Sequence, residues 1–292
     1  MLLDKKIGAL LQKGEKMNWV QALKVNYKSL STAEKQVADY LLSQTEAKEL
    51  AKYTLRKCAA AAGAGQQTIV RCLHKCGFES WKEFLRCVCA EGSVQVQPSE
   101  QAGKVSIDNI PAAVAAHAVN ILADLAYGIN KDDFRAVIKC LRSARMIDIY
   151  GVECSVGSAV DLAGKLLYLG MNCRTYTDMF FQKVSAEHLS SRDVAIGISQ
   201  SGKSRVTVEA LRSAKAGGAV TVAITGNGNS TLTEYADYIF VLPDLHPGAG
   251  WVNSRVAQVV FNDMLYQALL LKDEGCRENI RNAGKIFQHD II

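Results

Sequence analysis

Two hydrophobic rhythms divide the chain. Up to about residue 144, apolar positions recur at the three- and four-residue spacing of helices; from Arg145 onward, short unbroken apolar runs alternate with helical stretches. In the first region Ser31 and Glu34 have the spacing of a capping box and open a run that places Val37, Ala38, Leu41 and Leu42 on one face. A short alanine-dense helix is expected over Leu55 to Ala62, a break at Gly63-Ala64-Gly65, and a third helix from Gln66 to Cys76 that stops at Gly77. A fourth covers Ser80 to Ala90, with Ser80 and Glu83 again at capping-box spacing. Residues 93–110 are polar, contain Pro98 and Gly103 and lack helical periodicity, so they read as a linker. A long helical stretch follows from Pro111 to Ala144, interrupted near Gly128.

The second region predicts strands at Met146–Tyr150, Cys173–Tyr176, Val194–Ile198, Val220–Thr225 and Tyr238–Leu242. Helices are expected between them at 155–169, 181–188, 205–216 and 231–236, and a closing helix at 254–272. Apolar strands separated by helices imply a parallel sheet covered on both faces, with ligands held beyond the carboxyl ends of its strands. The fold class is therefore an all-α N-terminal domain, residues 1–92, followed by an α/β domain with a five-stranded parallel sheet, residues 111–292, whose core spans about 145–243.

Charge sharpens the division. The first 92 residues carry 15 Lys and Arg against 9 Asp and Glu, whereas the remaining 200 carry 19 against 20. The net +5 thus resides in the helical third, as expected of a polyanion reader joined to a near-neutral partner domain. Helix, three-residue turn and helix over about 54–76 is the layout of a helix-turn-helix. With Ile69, Val70 and Leu73 assigned to the core, Gln66, Gln67, Thr68, Arg71, His74 and Lys75 are left to face DNA. Glutamine can pair with adenine and arginine with guanine, while threonine and lysine can reach phosphates. A helical hairpin with a polar face has the same pattern.

Nine cysteines, an odd number with no CxxC pair, read as reduced small hydrophobic residues. Cys72, His74 and Cys76 invite a metal reading, but 72 and 76 lie one helical turn apart and His74 points elsewhere, so no metal and no cofactor are expected. The most apolar window, Ala112 to Ile129, is broken by His117, Asn120 and Asp124, and the charged start of the chain lacks the apolar block of a signal peptide. No membrane span or export is expected from these features.

Three strand ends lead into small polar loops: 151–155, 199–204 and 225–230. The middle one, Ser199-Gln200-Ser201-Gly202-Lys203-Ser204, sets three hydroxyls and a glycine between a strand and a helix start, which suits one dianionic phosphate. Neither GxxxxGK[ST] nor GxGxxG is present, so a single phosphate on a small polar body fits better than a nucleotide. Serine, glycine and asparagine are also ordinary turn residues.

The stretch Ile147 to Leu242 resembles a sugar isomerase (SIS) domain, and SQSGKS is similar to its phosphosugar loop SxSGxT. AEKQVADYLL and AAAAGAGQQTIVRCLHKCGF resemble the N-terminal helix-turn-helix module of RpiR-family regulators, and the two regions follow in that family's order. The resemblance implies a flavodoxin-type strand order and a cytoplasmic bacterial transcription factor, a repressor of sugar or amino-sugar metabolism genes. It would bind a double-stranded DNA operator as a homodimer or higher homo-oligomer and respond to a sugar-phosphate effector. By position, Ser155, Ser199, Ser201 and Ser204 match the family's phosphosugar-contacting hydroxyls, Gln200 faces the sugar body, and Gln66 to Lys75 match the recognition helix. Several positions depart from the pattern: Glu153 replaces a usual glycine, Ser204 a threonine, Gly65 the serine that opens the recognition helix, and Phe180 a common histidine, while Asp178 matches an acidic position. Two alternatives remain. One is a sugar-phosphate isomerase using Glu153, Glu187 or His188 as base; the other is a regulator whose SIS domain only dimerises.

Overall fold

In the computed structural model, residues 19–44, 50, 52–94, 107–243, 255–272 and 274–290 are described. The chain forms two compact units, residues 1–128 and 129–292.

The first unit is helical: α1 (Trp19–Asn26), α2 (Thr32–Ser43), α3 (Leu55–Ala61), α4 (Gln66–Lys75), α5 (Trp81–Val94) and α6 (Ile110–Gly128). Helix α2 starts where its sequence directs. Ser31 Oγ accepts from the Glu34 amide, and the Glu34 carboxylate accepts from the Ser31 amide at 2.8 Å. Leu23, Val37, Leu41, Ile69, Leu73 and Phe84 are buried in one core. Trp19 and Phe78 meet Phe84 edge-on at 5.6 and 5.3 Å, a geometry that suits the aromatic quadrupole. Helix α1 lies outside the elements predicted from sequence. It packs against α6, where a Cβ on Gly128 would lie 3.1 Å from Gln21 Nε2. Thus α6, expected to belong with residues 111–292, is part of the helical unit, with Ile121 and Leu125 buried there. Of the predicted linker, residues 95–106 lie outside the described residues; Val94 still ends α5 and Ile110 already begins α6.

By length and composition α6 is long and apolar enough to cross a membrane, with 19 residues and a mean hydropathy of 1.4. An uninterrupted apolar run is a stricter demand, because His117, Asn120 and Asp124 dilute the average without reversing it.

The second unit comprises α7 (Lys131–Ser143), β1 (Ile147–Gly151), α8 (Val156–Tyr168), β2 (Cys173–Thr175), α9 (Met179–Glu187), β3 (Val194–Ile198), α10 (Arg205–Ala216), β4 (Val220–Thr225), α11 (Thr231–Glu234), β5 (Tyr238–Val241), α12 (Val256–Lys272) and α13 (Glu274–Asp290). The five strands are parallel in the order β2-β1-β3-β4-β5, the flavodoxin-type order that the resemblance implies. Every residue of β1 and β3 is buried, as strands covered on both faces require. Helices α8, α12 and α13 pack together, and α9 packs on α10. Helix α13 has no counterpart among the predicted elements, which stop at Lys272. Strand β1 carries a buried charge: Arg174 donates to both oxygens of Asp148 at 2.6 and 3.2 Å, and Tyr150 Oη adds a third bond at 2.9 Å. These partners offset the cost of enclosing the carboxylate.

Candidate DNA-reading helix and effector site

In the helical unit, Thr54 caps α3 by accepting from the Lys57 amide at 3.1 Å. The turn to α4 runs through Gly63 at φ 62°, and Gln36 Nε2 donates across to Ala62 O at 3.2 Å. Gly65 caps α4 with backbone alone. The core side of α4 is Ile69, Cys72 and Leu73, with Val70 only half-buried, so Cys72 takes the interior place expected of Val70. Gln66, Gln67, Arg71, His74 and Lys75 are exposed and Thr68 half-buried, so the six predicted readers form one accessible face.

Two of them are engaged within the protein. His74 Nε2 lies 3.0 Å from Glu79 O, and Lys75 Nζ donates to Glu34 at 2.7 Å. The Lys75 hydrogen bond holds the buried Glu34 carboxyl below its ordinary range. One carboxylate therefore caps α2 and ties down the end of α4. Cys58, Cys72 and Cys76 are buried; burial pushes the Cys58 thiol up to about 11, and contact with Cys72 raises that of Cys76. All three are packing residues.

In the α/β unit, parallel pairing sets Gly151 beside Ile198 and Ile198 beside Ile224, so the three polar loops leave the same edge of the sheet. Ser199 and Ser155 are buried, Gln200 and Ser204 half-buried, and Ser201 exposed. Ser199 Oγ donates to Ser204 Oγ at 3.1 Å, and Ser201 Oγ accepts from the Lys203 amide at 3.2 Å. Gly202 turns the loop at φ 64° where a Cβ would fall 2.0 Å from Ser230 Oγ, so no other residue fits without displacing the 225–230 loop. Gln200 O accepts from the Gly226 amide at 2.9 Å, joining the two loops. Ser204 stands at the N-cap position of the twelve-residue α10 without a side-chain bond to its amides, and those N-terminal amides and the dipole favour an anion at this edge.

The loop after β1 forms a short 3-10 turn, Glu153–Ser155, with Glu153 exposed at φ 52°. Asp178 caps α9 by accepting from the amides of Phe180 and Phe181 at 2.8 and 3.0 Å, and the Phe180 ring is exposed. Glu187 and His188 sit at the far end of α9, where Glu187 accepts from Ser213 Oγ near the end of α10. That end leads into the start of β3, opposite the phosphate loop, which removes both as bases for a ligand held there. Of the three candidate bases, only Glu153 is on the correct edge.

Two residues at this edge escape the sequence reading. Arg255 Nε approaches Cys154 O at 3.4 Å, and Gln258 Nε2 donates to Gln200 Oε1 at 3.0 Å. The available signal was a polar pair, Gln258 and Asn262, one turn apart in a mostly apolar helix.

Comparison with known proteins covers both units. Residues 17–91 match the helix-turn-helix domain of the rpiR family, and residues 140–268 match the SIS domain. An HTH-type transcriptional regulator of Haemophilus influenzae is 29% identical over 91% of this chain and 93% of its own. The HTH-type transcriptional regulator RpiR of Escherichia coli is 27% identical over 80% of each. Among solved structures, the Vibrio vulnificus NanR protein complexed with ManNAc-6P superposes with a TM-score of 0.59 at 21% identity, over 92% of this chain and 97% of that one. The two domains, in this order and over this share of both chains, place the protein in the RpiR family of HTH-type transcriptional regulators with a SIS domain.

Proposed function

We propose that this protein is a cytoplasmic repressor of bacterial sugar or amino-sugar metabolism genes, not an enzyme, and that a phosphosugar effector controls it. Helix α4 reads a double-stranded operator through Gln66, Gln67, Thr68 and Arg71, while His74 and Lys75, first expected to join them, are held by Glu79 and Glu34 at the end of the helix. Ser199, Ser201 and Ser204, with Ser155 from the neighbouring loop, hold the phosphate, and Gln200 faces the sugar. The observation that carries the effector reading is the 199–204 loop: clustered hydroxyls at a helix N-terminus, with Gly202 where no side chain fits. The sugar phosphate bound by NanR, a protein of the same overall fold, supports that class of ligand. The working unit is a homodimer. Two-fold operators call for paired readers, and α6 exposes Ile110, Val114, Val119 and Tyr127. Sedimentation at micromolar concentration tests the dimer; monomer alone contradicts it.

Thermal denaturation against N-acetylmannosamine 6-phosphate, arabinose 5-phosphate and other C5 to C7 sugar phosphates tests the effector. A ligand at about 100 times its Kd adds about 2.7 kcal/mol of stability. Ser201→Ala should abolish that gain and leave effector-free DNA binding intact, whereas Arg71→Ala should do the reverse. A panel without any stabiliser favours a SIS domain that only dimerises, a reading to which the carboxylate of Glu153 at the ligand edge lends weight.

A further inference from the structure

Helix α12 is apolar along most of its length, yet Gln258 and Asn262 are polar and each only 1% exposed. Both bond to α8. Gln258 Oε1 accepts from Ser158 Oγ at 2.7 Å, and Asn262 Nδ2 donates to Ser158 O and to Asp161 Oδ2, each at 2.9 Å. Lys165 pairs with Asp161 and, at 3.0 Å, with Asp263. The upper end of this ladder leaves the helix seam altogether: Gln258 Nε2 reaches Gln200 Oε1 in the phosphate loop at 3.0 Å. Gln200 is restrained from its other side as well, because its Nε2 lies 2.2 Å from where a Gly226 Cβ would stand.

A seam between two helices is ordinarily filled with apolar side chains, and buried amides cost free energy unless their partners are all present. Holding α12 on α8 would be served at least as well by leucine or methionine at 258. What an apolar residue cannot do is hold the carboxamide of Gln200.

We propose that Gln258 is a positioning residue of the effector site: it fixes the Gln200 amide for the sugar body, while the serine hydroxyls take the phosphate. The proposal rests on the effector reading above. Gln258 itself touches no ligand, so its removal is felt by sugar phosphates and not by inorganic phosphate.

Four full-length proteins test it: wild type, Gln200→Ala, Gln258→Met and the double variant. Methionine keeps the length of glutamine and removes the amide, and Gln258→Leu serves as a second apolar replacement. Each is titrated calorimetrically with N-acetylmannosamine 6-phosphate, arabinose 5-phosphate and inorganic phosphate. Gln258→Met is expected to weaken whichever sugar phosphate binds the wild type by about tenfold, and to cost nothing further in the Gln200→Ala background. Inorganic phosphate should bind all four alike. Equal losses in the two backgrounds, or an equal loss for inorganic phosphate, would assign Gln258 to helix packing and overturn the proposal.

Hydrogen exchange of the ligand-free protein supplies an independent arm. The Gly202 and Gly226 amides, bonded to Ser199 O and Gln200 O, should exchange faster in Gln258→Met, while those of β3 keep their rates. Unchanged exchange at both glycines overturns the positioning role whatever binds. Faster exchange in a protein that binds no sugar phosphate removes the effector reading and leaves the positioning of the loop standing.

Discussion

Glu153 carries a conflict between backbone and side chain. Among the described residues it is the one non-glycine at positive φ, 52°, in the left-handed region that costs an L-residue about 1–2 kcal/mol. Its carboxylate stands at the edge where the proposed phosphate binds. Glu153→Gly is expected to raise stability by about 1 kcal/mol, part of the strain relief being offset by a more flexible unfolded chain. A urea midpoint that rises at unchanged slope is the check, and a lower midpoint would reveal a compensating role for the side chain. The same change should tighten binding of a dianionic phosphate by removing a like charge. Asp124 on α6 makes a second residue-level prediction. Burial pushes its carboxyl from the ordinary 3.8 up to about 6. Between those values the folded protein keeps a proton that the unfolded chain has released, so stability falls as pH rises from about 4 to 6. The loss is on the order of 3 kcal/mol. Asp124→Asn should remove that slope and stabilise the protein at pH 7, read from melting curves at pH 4.5 and 7.

Helix α4 is held as an element rather than as a row of contacts. The buried Glu34 caps α2 and pairs with Lys75, so the carboxyl end of α4 is anchored to a helix that begins 43 residues before Lys75. Lys75→Ala should therefore lower stability by about 1 kcal/mol and leave the salt dependence of DNA binding unchanged. If the slope of log K against log salt instead falls by about 0.9, Lys75 leaves Glu34 for a DNA phosphate. Elements of this kind were only partly legible in the sequence. Val194–Ile198 and Val220–Thr225 announce themselves as short apolar runs bounded by small polar residues, and Ser31 with Glu34 announces a helix start. The loop 199–204 was readable as a polar link between a strand and a helix start because its residues are contiguous. The ion pair of Lys75, the bond from Gln258 to Gln200 across 58 residues, and the packing of α6 on α1 depend on tertiary neighbours, for which no periodicity exists. Glu153 was legible as a departure from a family glycine, but not its φ, which only the surrounding backbone imposes.

At the scale of the whole molecule, the proposed function requires two units with different ligands to share one free energy. The net positive charge lies in the first 92 residues, so DNA affinity is largely electrostatic and must fall with salt. The loops proposed to hold an effector belong to the near-neutral unit, so an effector bound there can weaken operator binding only by preferring one arrangement of the whole protein over another. Linkage then makes the effect reciprocal: a sugar phosphate that weakens operator binding about tenfold, about 1.4 kcal/mol, must itself bind about tenfold more weakly to the DNA-bound protein. The measurement is a pair of titrations with the sugar phosphate identified by thermal denaturation, one on free protein and one on protein saturated with operator at fixed salt. Equal affinities in the two, alongside an undiminished effect on DNA binding, cannot arise from one coupled equilibrium. They would mean that the sugar phosphate acts by competing for the DNA-reading face, whose exposed Arg71 is able to attract a phosphate directly. In that case Arg71→Ala, and not Ser201→Ala, would abolish the response.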